Sequence, residues 1–254
     1  CKYADYIVKL SIHFKNLTSS YEIDNIESKV KDLNDYNEDE ALLNETHYDR
    51  KAVEYWADEI ISNNKFNLAI DSIEDIICQP HPFAQLLHDG IKTAYNHEIS
   101  CVHLPINGEE GLSGVVRNRD LYEAYPHPDK PVDLTVRWKN LKVNLEYSYS
   151  LIEFDQGKLS LTIVDETLFT FWQGINYTVD MNQEPYQRVK IENIDEEQMY
   201  RITMTAYCYR KYKDYLKDAI VHETHDETMG GLIRNNLKKA DYNIKVTNNF
   251  KVNL

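Results

Sequence analysis

Residues 132–154, VDLTVRWKNLKVNLEYSYSLIEF, constrain the fold of this chain more than any other stretch. Val132, Leu134, Val136 and Trp138 occupy even positions, whereas Leu141, Val143, Leu145, Tyr147, Tyr149 and Leu151 occupy odd ones. Successive side chains of a strand point to opposite faces, so these are two runs of period two whose phase flips at Lys139-Asn140. The pattern predicts a tight hairpin or a bulged strand with one wet face.

The same alternation continues through Leu159–Ile163, Leu168–Trp172, Ile175–Met181, Val189–Ile191 and Met199–Tyr209. Short strands joined by polar turns predict an α+β chain whose residues 131–211 form an antiparallel β-sandwich or a curled sheet. Upstream, Tyr6, Val8, Leu10, Ile12 and Phe14 alternate as a first strand, and from Glu22 the spacing changes. Ile23, Ile26, Val30 and Leu33 stand three and four apart, which predicts a helix ending near Asn34. Helical spacing recurs over 49–62, 69–78 and 82–95, the last opened by Gln79-Pro80-His81-Pro82, because proline suits the first helical turn and no other. Glycines and prolines cluster over 105–131, including a second Pro-His-Pro at 126–128, and place a boundary near residue 130. The chain thus reads as a mainly helical segment 1–130 with a first strand, then a β-rich segment 131–254 with short C-terminal helices and a terminal hairpin turning at Asn248-Asn249, or as one continuous domain of both.

A chain of 254 residues with seven Pro and eight Gly is folded nearly end to end and needs no disulfide or metal to sustain its core. The net charge of −14 repels phosphate backbones and anionic lipid surfaces, and the densest basic stretch, Arg210–Lys217, is interleaved with acids. This argues against nucleic acid as a partner. No apolar run approaches the ~20 residues that span a bilayer, so no membrane span is expected. The sequons at Asn16, Asn44 and Asn176 are no more than composition supplies and leave secretion undecided. Cys1 is the residue at which a bacterial lipoprotein begins, but the strand-like Tyr6–Ile12 follows almost at once, without the polar tether of an anchored protein.

Two constellations could hold a metal. Cys78 with His81 and Cys101 with His103 supply two thiols and two imidazoles on either side of one helix-sized segment, a donor set suited to tetrahedral zinc. Placed on a helix, His222 and His225 share a face with Asp226 one turn from His222, which suits a divalent cation. Unlinked buried thiols, a Cys78–Cys101 disulfide and a solvated polar helix end are the competing readings of these residues. His81-Pro82-Phe83 lacks the glycines and acid of a phosphate-cradling Fic-type loop, and no nucleophile elbow, phosphate-binding loop or dinucleotide fingerprint exists in the chain.

With no catalytic motif, nineteen tyrosines and a strand-like terminus, the sequence predicts a non-enzymatic, self-assembling structural protein. A virion, tail, filament or lattice subunit, a homo-oligomer or partner of other protein subunits in a virion or outside the cell, fits that expectation. Two alternatives stand beside it: a secreted or lipid-anchored β-sandwich binding protein, and a metal-dependent hydrolase.

Overall fold

The structure, a computed structural model, describes residues 6–17, 20–63, 67–103, 111–155, 158–161, 169–191 and 195–254. The chain divides into two compact units, Cys1–Tyr55 and Trp56–Leu254. The strand expected over 159–163 and that over 168–172 lie partly outside the described residues.

In the first unit β1 (Tyr6–Leu17) pairs antiparallel with β2 (Ser20–Asp32), followed by α1 (Glu40–Glu45) and the start of α2 (His47–Asp58). The helix expected over 22–34 is therefore a strand, and the register explains the misleading spacing. Ile26 faces Ile12 and Val30 faces Val8, but the register shifts between His13 and Phe14, so that Phe14 faces Ile23. One extra residue at that bulge turns a spacing of two into three, which imitates a helical stripe.

The second unit is built on a five-stranded mixed sheet in the order β11-β5-β14-β8-β15, comprising β5 (Ile99–His103), β8 (Pro131–Arg137), β11 (Thr170–Gln173), β14 (Met199–Thr205) and β15 (Ile220–Thr224). β5 and β14 run parallel, while the other neighbours are antiparallel. Around it lie the pairs β3 (Ile60–Asn63) with β7 (Val115–Arg117), β4 (Leu68–Ala69) with β6 (Gly111–Leu112), and β9 (Ile152–Asp155) with β10 (Lys158–Leu161). A three-stranded sheet joins β12 (Tyr177–Asp180), β13 (Val189–Ile191) and β16 (Phe250–Asn253). β16 pairs parallel with β12 of its own chain, so the apolar terminus is used internally, as an edge strand rather than half of a hairpin.

The α+β character holds, but the antiparallel run expected over 131–211 is interrupted by two helices, α6 (Trp138–Ser150) and α7 (Ala206–Tyr212). In α6 the buried apolar positions are Trp138, Leu141, Leu145 and Tyr149, three and four apart, whereas Val143 is 41% exposed. The odd-numbered apolar series contains both periods, and packing selects the helical one. The remaining helices are α3 (Ile73–Cys78), α4 (Pro82–Ala94), α5 (Asn118–Ala124) and α8 (Met229–Leu237). Pro82 opens α4 as its position predicts, and Phe83, Leu86, Leu87 and Ile91 are buried on its inner face. Gly90, a poor helix former, is there for proximity, because a Cβ at that position would stand 2.9 Å from Ile233 Cγ1 on α8.

Candidate functional site

Because β5 and β14 are parallel, with Met204 opposite Cys101, their carboxyl ends emerge side by side at His103 and Thr205. In open sheets of this kind ligands bind just beyond such ends. α7 begins there, and its first N–H groups need partners. Thr205 Oγ1 accepts from Cys208 N at 3.2 Å, and Asp129 Oδ1 accepts from Tyr207 N at 3.0 Å. Asp129 is only 6% exposed, yet its carboxylate also accepts from Lys130 N, and its carbonyl accepts from Met229 N at 2.8 Å. A buried carboxylate so bonded offsets its desolvation cost and moors the Pro126-His127-Pro128 loop between α7 and α8.

Behind that loop four rings gather. The His103 ring centre lies 4.7 Å from that of Tyr207, 5.7 Å from His127 and 5.8 Å from Tyr125. His103 is fully enclosed, with Nδ1 3.3 Å from Thr205 Oγ1 and 3.8 Å from Cys208 Sγ. Cys208 in turn lies beside Cys101 of β5, both cysteines being wholly buried. Burial and the neighbouring Cys208 push the Cys101 thiol up. Burial also acts upward on Cys208, but the neighbouring Cys101 and the His103 imidazole outweigh it and bring the thiol down to about 6. Burial, aided by Asp129, pushes the Tyr125 phenol up, and its hydroxyl has no hydrogen-bond partner among the described residues.

Outside the loop opens a cavity of about 240 Å³ whose lining includes Trp56, Tyr122, Tyr125, His127, Asn118 and Arg234. Trp56 and Tyr122 are 47% and 62% exposed, an unusual surplus of aromatic surface on the second unit. Arg234 is held in place: Nε donates to Asn118 Oδ1 and Nη2 to Glu59 Oε2, each at 2.7 Å. Hydrogen bonds from Lys238, Asn118 and Arg234 hold the Glu59 carboxyl down at about 2. The site therefore combines flat apolar walls with one fixed guanidinium and a neutral amide.

The residues singled out from sequence are distributed otherwise. Cys78 ends α3, and the His81 ring caps α4 by accepting from Phe83 N at 3.1 Å. Cys101 and His103 meet Cys208 instead. His222 lies on the edge strand β15, where Nε2 is 2.8 Å from Thr135 Oγ1, so the helical face it was to share with His225 and Asp226 does not form. His225 Nδ1 accepts from Glu227 N at 3.0 Å. Among the described residues no group of three or more His, Cys, Asp or Glu side chains is arranged to hold a metal. Tyr125, Asp129, Cys208 and Arg234 escaped the sequence reading. Cys208 sat in an apparently continuous strand, and the Pro-His-Pro at 126–128 was the sole local signal for its loop.

Comparison with known proteins places this geometry in context. Residues 65–218 match the family described as 5'-nucleotidase, C-terminal domain. Comparison with curated proteins returns no match. Among solved structures, a Staphylococcus aureus protein assigned as a 5'-nucleotidase and solved with α-ketoglutarate superposes with a TM-score of 0.75 at 21% identity, over 95% of this chain and 49% of that one. A 5'-nucleotidase precursor from Thermus thermophilus gives 0.64 at 14% identity, over 98% and 50%. The NAD nucleotidase of Haemophilus influenzae gives 0.59 at 14% identity, over 92% and 48%. This chain thus spans about half the length of the structures it matches. The family match overturns the expectation of a structural virion, tail, filament or lattice subunit, and favours the hydrolase alternative.

Proposed function

The chain belongs to the 5'-nucleotidase C-terminal domain family, and from that membership we propose that it serves as the ligand-holding domain of a nucleotidase-type hydrolase, with the base of a nucleotide seated in the cavity lined by Trp56 and Tyr122. The observation that carries this reading is the pairing of exposed aromatic rings with an anchored arginine in one cavity of about 240 Å³. That volume lies below the roughly 300–1,000 Å³ of pockets that enclose whole drug-sized ligands. It suits a flat heteroaromatic base, with sugar and phosphate left outside. Arg234, held in place by Asn118 and Glu59, supplies the polar contact that orients such a ring.

Metal dependence accompanies hydrolysis in this reading of the family, but the described residues of this chain do not fit a metal. What these residues do is bind and orient. A location outside the cell belongs to the same reading, in keeping with the precursor named among the structural relatives.

Calorimetric titration with adenosine, adenosine monophosphate and ribose 5-phosphate tests the proposal. Adenosine and its monophosphate are expected to bind with quenching of Trp56 fluorescence, and ribose 5-phosphate about tenfold or more weakly. Stacking of a base on an aromatic ring contributes about 1–3 kcal/mol, so Tyr122→Ala weakens nucleoside binding by roughly 5- to 150-fold. Equal affinity for ribose 5-phosphate and the nucleotide, or an unchanged Tyr122→Ala variant, overturns it.

A further inference from the structure

Cys101 and Cys208 stand 107 positions apart along the chain, and the fold brings them together. The parallel pairing of β5 with β14 puts Met204 beside Cys101, and the turn at Thr205 swings the first turn of α7 back over β5. The two thiols are fully enclosed, and each shapes the acidity of the other. His103 lies two residues beyond Cys101, hence on the same face of β5, with Nδ1 3.8 Å from Cys208 Sγ. A thiol, a second thiol in contact with it and an imidazole within reach of the first are the parts of a cysteine pair that closes on oxidation.

We propose that Cys101 and Cys208 form a reversible disulfide on exposure to hydrogen peroxide, with Cys208 as the attacking thiol and His103 as the group that receives its proton. The Cys208 sulfur attacks one peroxide oxygen, the O–O bond breaks, and the departing hydroxide leaves as water with the proton first taken by His103. Cys208 is then a sulfenic acid. The Cys101 sulfur attacks the Cys208 sulfur, the S–O bond breaks, and the hydroxyl leaves as water with the Cys101 proton. Two thiols and one peroxide thus become one disulfide and two waters, the peroxide being reduced. Hydrogen peroxide is small and uncharged, which suits a buried pair reached through local opening of α7. The lowered Cys208 thiol supports the assignment of attacker. Cys78, whose thiol is pushed up by burial and by Glu74 and Asp75, serves as the internal control. The inference is independent of what the cavity binds.

Peptide mapping by mass spectrometry after peroxide treatment of the full chain, in a Cys1→Ser/Cys78→Ser background and in the unaltered sequence, decides the matter. The expected result is a Cys101–Cys208 cross-linked peptide as the main product, released by dithiothreitol and not favoured when the chain is oxidised in urea. His103→Gln is expected to form it about tenfold more slowly with an unchanged circular dichroism spectrum. The proposal is overturned if both thiols remain open to alkylation after unfolding, or if Cys208 advances to sulfinic acid without a cross-link. An unchanged rate in His103→Gln removes His103 from the mechanism. Because the cross-link is read in the unaltered sequence, a background variant that fails to fold does not obscure the answer.

Discussion

Arg188 offers the most demanding test of how the second unit is held together. It is 9% exposed, and its Nη1 donates to the carbonyls of Tyr149 and Ile152, both at 2.7 Å, while Nε donates to the Gln183 carbonyl at 3.1 Å. The first of these is a carbonyl of the last turn of α6, where the i to i+4 ladder has run out and the Leu151 cap N–H is shared with Ser148. Glu146, one turn earlier on α6, accepts from Arg188 N and Val189 N, each at 3.0 Å. The Arg188 side chain and the backbone of Arg188 and Val189 thus latch the end of α6 to the start of β13 in both directions. Arg188→Met keeps most of the aliphatic stem and deletes the guanidinium, leaving three carbonyls without their donor. Hydrogen bonds to a charged group contribute about 1.5–3 kcal/mol each, and water reaching the edge of the site recovers part of that. Taking about 1–1.5 kcal/mol for each of the three bonds gives a loss of roughly 3–5 kcal/mol. A domain of ordinary stability has about 5–15 kcal/mol to lose. At about 2–4 °C per kcal/mol for a unit of this size, the unfolding midpoint falls by roughly 6–20 °C. Urea unfolding followed by the fluorescence of Trp138 and Trp172, which are 2% and 1% exposed, reports the transition of this unit. Arg188→Lys, with a charge but no planar fork, should fall between the two. A loss below about 1 kcal/mol in Arg188→Met, with an unchanged slope, would refute the latch.

Two further expectations follow from the same unit. Val143→Ala should change stability by no more than about 0.5 kcal/mol, because Val143 lies on the outer face of α6, whereas Leu145→Ala should cost about 2–5 kcal/mol; equal losses would restore the strand reading of this stretch. Asp133, buried on β8, has its carboxyl held below the usual range by hydrogen bonds from Arg201, against the opposing effect of burial, and further by His97. A carboxyl lowered in the folded state stabilises fully above its unfolded value near about 3.9 and loses that contribution as pH falls further. The excess stability of the wild type over Asp133→Asn is therefore constant from pH 7 to about 5 and shrinks below pH 4 in denaturant titrations, and an excess that does not change with pH contradicts the assignment.

Local chemistry carried much of the architecture. The alternation of Tyr6–Phe14 marks β1, that of Val132–Val136 marks β8, and Tyr200, Ile202 and Met204 mark β14. Pro82 after His81 fixes where α4 begins, because only the first turn of a helix tolerates the ring. These features depend on near neighbours, and near neighbours are what a sequence displays. Where one set of residues satisfies two periods, as Leu141, Leu145 and Tyr149 do within an alternating run, spacing cannot choose between strand and helix. The bulge opposite His13 and Phe14 misled for a related reason, since the residue that breaks the period is defined by the partner strand.

The sequence singled out Cys101, His103 and the Pro-His-Pro at 126–128, but what each of them meets belonged to the tertiary structure. His103 meets Cys208 from 105 positions away, Asp129 caps a helix 78 positions on, and Arg234 reaches Asn118 across 116. What the sequence determined was which residues seek burial and which turns are allowed. Which thiol stands beside which imidazole, and which rings border the cavity, was decided when β5 and β14 lay down parallel and brought both carboxyl ends to one edge. Such pairings are set by the balance of packing over the whole chain, and no spacing along it records them.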